Sequence, residues 1–284
     1  MKEYQAELFL DIGCTLGEGP MWDDRRQRLW FVDIDEKRLY SVREDGEDLQ
    51  RYSMPDKPSL VVPMESGDLA LGLPDGIWRF SPETGELKRL ALLNEDPAIR
   101  FNDGKAGPAG ELWAGTIGRG AKLFRLPGEG EPEIVLESVS ISNGIAFSPD
   151  RKIMYYVDTP TRRVDAFDYD AVRGTVSNRR PCVEDSATPG SPDGMTVDTH
   201  GNLWPARWGG FGVYCYRPFT NTPIAVVRTT VECTSCPVFG GGDYRTMFIT
   251  TANQSRSGKP QSHPGGLFKV RLEVGGKAPF RWRR

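Results

Sequence analysis

One pattern recurs six times along the chain and constrains its fold more than any other feature. A short apolar strand is followed by a second strand carrying an aliphatic-aromatic pair: Leu39-Tyr40, Ile77-Trp78, Leu123-Phe124, Ala166-Phe167, Val213-Tyr214 and Leu267-Phe268. The aromatics are spaced 38, 46, 43, 47 and 54 residues apart. Each pair is preceded by another apolar segment: 29–32, 69–73, 112–115, 154–157, 203–206 and 247–250. Turns rich in Gly, Pro and Asp separate the segments, such as Ser148-Pro149-Asp150 and Asp198-Thr199-His200-Gly201. Several short strands per repeat, without helical periodicity, predict an all-β, six-bladed β-propeller.

Such a ring has to close. Few residues follow Phe268, so the segment 6–12 is expected to supply the outermost strand of the last blade, making residues 1–284 a single propeller domain. The 32 Gly and 22 Pro fit a fold with many tight turns. No apolar run is long enough to span a membrane, and the charged N-terminus lacks a signal-peptide stretch, so a cytoplasmic protein is expected. A net charge of -3 gives no electrostatic footprint for nucleic acid. The basic Arg281-Trp282-Arg283-Arg284 is expected to be a solvated tail. Cys233 and Cys236 form a CxxC with no second pair or neighbouring His, and are expected to be buried thiols rather than zinc ligands.

In a propeller, residues at one phase of each repeat face one another across a central channel. Glu18 and Asn143 lie 12 residues before Trp30 and Tyr155, and Asn102 and Asp193 lie 11 before Trp113 and Trp204. Their local strings are alike: Glu18-Gly19-Pro20, Asn102-Asp103-Gly104, Asn143-Gly144 and Asp193-Gly194. The remaining two copies place Val61-Val62 and Ser235-Cys236 there, which are poor ligands. Four oxygen-bearing side chains converging on one axis are a way to hold a divalent cation, with no selection among Ca²⁺, Mg²⁺, Mn²⁺ and Zn²⁺.

The strings LGEGPMW (16–22), RFNDGKAGPAGELWAGT (100–116), SNGIAFSPD (142–150), VDAFDYD (164–170), SNRR (177–180) and PDGMTVDTHGNLW (192–204) together resemble the regucalcin and gluconolactonase family, also called senescence marker protein. The resemblance runs from about residue 14 to 270. It implies a propeller with one divalent cation in the channel (Ca, Zn, Mg, Mn or Fe) that hydrolyses a sugar lactone. By the same resemblance Glu18, Asn143 and Asp193 are the metal ligands, Asp193 is also the catalytic base, and Arg100 and Asn102 bind substrate.

Two departures stand out. The segment Gly118-Arg119-Gly120-Ala121 is short and lacks the acidic residue that animal regucalcins contribute to the substrate pocket, which bears on which lactone is used. Pro205 replaces an aliphatic residue and is expected at a bulge or an edge. Trp208 and Phe211 read as blade packing. The expected partner is a small sugar lactone, with the protein a monomer or small homo-oligomer. The competing readings are a non-catalytic calcium-binding or protein-binding propeller, and an esterase or phosphotriesterase acting on the same metal.

Overall fold

The computed structural model describes residues 1–284. Strands account for nearly all regular structure, and the one helical element is a single 3-10 turn at Thr159–Thr161. No helix is long and apolar enough to cross a membrane.

Hydrogen bonding groups the strands into five sheets. The expectation of six blades is therefore corrected: with each hydrogen-bonded sheet counted as a blade, the chain is a five-bladed β-propeller. Four sheets have four or five strands, and the fifth has six. The cause of the difference is local. Glu133–Phe147 is one continuous strand that pairs with Leu112–Leu126 through Ile141 and with Ile153–Asp158 from Ser142 onward. Leu112–Leu126 is likewise unbroken across the Gly118–Ala121 segment. The third and fourth sequence repeats thus share a sheet in place of the break that the other repeats show.

The core lies between neighbouring sheets. Trp204, Val213 and Val227 of one sheet pack on Phe239, Ile249 and Phe268 of the next, and Trp30 and Val32 pack on Leu69 and Leu71. Burying each such side chain contributes roughly 1.5–3 kcal/mol, which is what turns separate sheets into one ring. Trp208 is partly buried and Phe211 adopts a positive φ of 55° in the turn beside it.

The N-terminus serves two sheets. Lys2–Gln5 runs parallel to Ala225–Arg228, and Glu7–Leu10 pairs antiparallel with Leu267–Arg271. Pro205 stands inside a sheet, not at an edge, paired with Met195 on one side. On the other side the ladder is interrupted at Pro205, between the Leu203–Tyr216 bridge and the Ala206–Val213 pair, because proline has no N–H to donate.

The C-terminal segment is not a solvated tail. Its backbone crosses the lower mouth of the channel, with Gly275 accepting from Thr199, Trp282 donating to Pro63 and Arg283 donating to Gly110. The Trp282 side chain is fully buried, and Phe280 packs edge-on against Phe147 at 6.1 Å. Arg281 reaches back to Asp24. The segment is a strap with its rings turned inward, Arg283 and Arg284 exposed, and Arg281 mostly buried against Asp24. All five cysteines are free and buried, Cys233 and Cys236 included.

Candidate active site

Every residue singled out by phase lies on an innermost strand of its repeat. Glu18 is on Gly17–Asp23, Arg100 and Asn102 on Arg100–Ala106, Asn143 on Glu133–Phe147 and Asp193 on Ser191–Val197. At each point the pairing slips: the register shifts between Glu18 and Met21, Phe101 and Gly104, Asn143 and Ile145, and Pro192 and Met195. A bulge adds an unpaired residue and turns the local side chain away from strict alternation. The polar residues thus occupy interruptions in strands that the rest of the blade needs regular.

Glycines that follow these polar residues are used for close approach. A Cβ on Gly144 would stand 2.7 Å from the carbonyl oxygen of Asp193, and one on Gly194 would stand 2.3 Å from Cys236 Sγ. Both distances are too short for any larger residue, so the inner strands draw together at the level of the polar side chains. The Asx-Gly pairs are close-packing devices more than turns.

Two aspartates hold these inner strands from behind. Asp33 accepts from the amides of Thr15 (2.9 Å) and Leu16 (3.0 Å), just ahead of Glu18. Asp158 accepts from Ile141 (2.9 Å) and Ser140 (3.3 Å), just ahead of Asn143.

A hydrogen-bond relay then fixes the amides. Arg100 Nη1 donates to Asn102 Oδ1 at 2.8 Å, Asn102 Nδ2 to Asn143 Oδ1 at 3.1 Å and to the Ser142 carbonyl at 2.9 Å, and Asn143 Nδ2 to Thr159 Oγ1 at 2.8 Å. Thr159 Oγ1 donates its own proton to the Pro192 carbonyl at 2.9 Å, adjacent to Asp193. Because that hydroxyl is spent as a donor, it can only accept from Asn143. The amide of Asn143 is thereby oriented with Nδ2 toward Thr159 and its oxygen on the opposite side.

Several charged and polar groups of the site are withdrawn from solvent. Asn143 and Asp193 are each 5 % exposed and Asp103 is 8 % exposed. Burial, reinforced by the charge of Asp103 and opposed by the Gly19 amide and Arg100, pushes the Glu18 carboxyl up to about 8. Burial first, then the charges of Glu18 and Asp103, raises Asp193 well above the ordinary carboxylate range. Asp103 is raised as well, by burial. Arg100 is lowered by burial, against the attraction of Asp35 and Glu18. Carboxylates crowded in this way need either protons or a cation.

The donor set fits a divalent cation. Glu18 and Asp193 supply carboxylate oxygens and Asn143 an amide oxygen, all hard donors suited to an ion of the calcium or magnesium type. No three His, Cys, Asp or Glu side chains gather around a common point, so such a set depends on the asparagine. Cys236 is a neighbour of the carboxylates but is buried, which keeps its thiol protonated.

Counting phase from the aromatic missed two residues. Asp103 shares its bulge with Asn102, and its position directly before Gly104 matches Glu18-Gly19 and Asp193-Gly194 better than Asn102 does. The acid-Gly dipeptide is the signal that identifies it. Thr159 lies beyond the end of its strand, where no repeat pattern marks it. Ser235, at the weak sixth phase, is a structural group that donates to the Gly17 carbonyl at 2.6 Å.

Comparison with known proteins identifies the family. The family profile described as SMP-30/Gluconolactonase/LRE-like region matches residues 16–253. YvrE of Bacillus subtilis (strain 168), whose name assigns it provisionally to the sugar lactone lactonases, is 34% identical over 283 residues, covering 96% of this chain and 97% of that protein. Regucalcin of Bos taurus is 33% identical over 295 residues, covering 99% of each. Among solved structures, a calcium-binding regucalcin from Agrobacterium tumefaciens superposes with a TM-score of 0.93 at 27% identity over 100% of both chains. The chain belongs to the SMP-30/gluconolactonase/LRE-like family.

Proposed function

We propose that the protein hydrolyses a sugar lactone to the corresponding sugar acid with the help of one divalent cation held by Glu18, Asn143 and Asp193. The observation that carries this reading is the pairing of two proton-hungry carboxylates, the buried Asp193 and the partly buried Glu18, with an oriented amide oxygen, beside an arginine-asparagine pair on the neighbouring inner strand. The names of the relatives support the substrate class: YvrE points to sugar lactones, and the Agrobacterium regucalcin to calcium as the ion.

When bound, a divalent cation supplies positive charge that polarises the lactone carbonyl and offsets the charge developing on its oxygen. Arg100 and Asn102 hold sugar hydroxyls and so fix the ring against the inner strands. The buried Asp193 carboxylate, once ionised, is a stronger base than an exposed aspartate. It takes one proton from the attacking water as the water oxygen adds to the carbonyl carbon, and returns that proton to the ring oxygen as the C–O bond opens; the water's second proton stays on the new carboxyl group and is released when the product acid ionises. Glu18 and Asn143 keep their roles as ligands. The short Gly118–Ala121 segment, which carries the positive-φ glycines Gly118 and Gly120, borders Arg100 through the Arg100–Ile117 pair and provides no acid to the mouth. The lactone favoured here is therefore recognised chiefly by Arg100 and Asn102.

The test is a panel of aldonolactones assayed by acid release, using protein stripped of metal and resupplied with individual cations. The expected result is turnover of one or more lactones only in the presence of added cation. Turnover of none of them with any cation would remove the lactonase reading.

A further inference from the structure

Below the polar ring, the inner strands line a second chamber of the channel. It has a volume of about 350 Å³, in the range of small-molecule sites, and mostly apolar walls that include Met21, Val62, Ile145, Met195 and Val238. The C-terminal strap runs along its open lower end, with Lys277 and Phe280 forming part of the wall. None of the residues assigned above to cation or substrate binding lines this chamber.

Its charges are unbalanced. Lys105, Arg151 and Lys277 all line it, and none of them has a carboxylate partner: Arg151 lies over the Phe280 ring at 5.4 Å, Lys277 donates to the Pro149 carbonyl at 3.2 Å, and Lys105 makes no side-chain hydrogen bond. Two acids also line the chamber. Asp198 is already saturated by four donors, the amides of His200 and Asn202, Asn202 Nδ2 and Trp204 Nε1, all at 2.8–2.9 Å. Asp103 accepts from the Gly104 amide at 2.7 Å and lies near Lys105 without a hydrogen bond or ion pair to it. A partly buried ammonium group without a hydrogen-bonded partner, at the inner end of an apolar chamber with two further cations at its entrance, is a complement to an organic anion.

We propose that this lower chamber binds a small amphipathic monocarboxylate, with its apolar body between Val62, Ile145 and Met195 and its carboxylate on Lys105. Arg151 and Lys277 flank the entrance and draw the anion in. The site is independent of the lactonase reading, because it uses neither Glu18, Asn143, Asp193 nor the Arg100-Asn102 pair.

The probe is octanoate, compared with octan-1-ol, by isothermal titration on the full chain and on Lys105→Met and Lys105→Arg. Octanoate is expected to bind about tenfold tighter than the alcohol, the equivalent of one partly buried charge contact. Lys105→Met should lower octanoate to the affinity of the alcohol, and Lys105→Arg should restore it. An aldonolactone added at saturation should leave octanoate binding unchanged. The proposal is overturned if octanoate does not bind, if the alcohol binds equally well, if Lys105→Met has no effect while its melting curve matches that of the parent, or if the lactone displaces octanoate.

Discussion

Asn143 Nδ2 donates to Thr159 Oγ1 at 2.8 Å, and the threonine passes its own proton to the Pro192 carbonyl. This contact ties the fourth repeat to the fifth and decides which face of the Asn143 amide meets the channel. Thr159→Val keeps the shape of the side chain and removes the hydroxyl. Cation affinity, measured by calcium titration, should fall by about 10- to 100-fold, as for other groups that orient a metal ligand. Thr159→Ser should recover most of it. Unchanged affinity in the valine variant would show that the amide is oriented by Asn102 alone.

Asp158 holds the strand that carries Asn143 through the amides of Ser140 and Ile141. Asp158→Ala leaves two partly buried N–H groups without a partner, at a cost of about 1–3 kcal/mol each. Chemical denaturation should show that loss, together with weaker cation binding. Asp33→Ala should behave alike, because Asp33 accepts from Thr15 and Leu16 ahead of Glu18.

The crowded carboxylates also give a pH signature. The Glu18 carboxyl stands at about 8 in the folded chain, above its ordinary value, because of burial and the charge of Asp103. Its protonated form therefore favours the fold fully at pH below about 4, and that contribution is lost as the pH rises through 8. Cation-free protein should lose stability across this window. Calcium should raise Tm more at pH 8 than at pH 5, since it replaces protons that are already bound at the lower pH. Equal shifts at the two pH values would place the cation away from Glu18.

The two chain ends should matter unequally to different sheets. Removing residues 1–12 takes a parallel partner from Ala225–Arg228 and an antiparallel partner from Leu267–Arg271. It exposes two sheet edges together with the apolar residues packed beneath Ala6 and Leu8. The truncated protein should melt well below the parent or aggregate. Trp282→Ala removes a fully buried ring from the cluster around Phe101 and Leu112, and should cost about 3–5 kcal/mol.

Much of this site could be read before any coordinates. Glu18, Asn102, Asn143 and Asp193 fall on inner strands because the spacing to a buried aromatic is nearly constant from repeat to repeat, and Trp30, Trp113, Tyr155 and Trp204 are indeed core residues. Sheet count was harder to read. Whether two repeats share a sheet depends on whether the chain between them stays extended, and the run Glu133–Phe147 has no glycine or proline before Asn143-Gly144 to break it. The C-terminal basic residues misled for a different reason: Arg283 and Arg284 are exposed, while Trp282 beside them is buried by contacts with distant segments at Pro63 and Pro127. Thr159 escaped because its role comes from a hydroxyl wedged between two repeats, which no local pattern encodes.

The central claim is that catalysis and cation binding share Glu18, Asn143 and Asp193. It is tested most directly by titrating stripped protein with calcium while recording both bound ion and acid release from an aldonolactone. The account predicts that the rate rises in step with occupancy, levels off at about one ion per chain, and stays at background in Asp193→Asn. A rate that is already full in the stripped protein, or that is unchanged in Asp193→Asn, would contradict it.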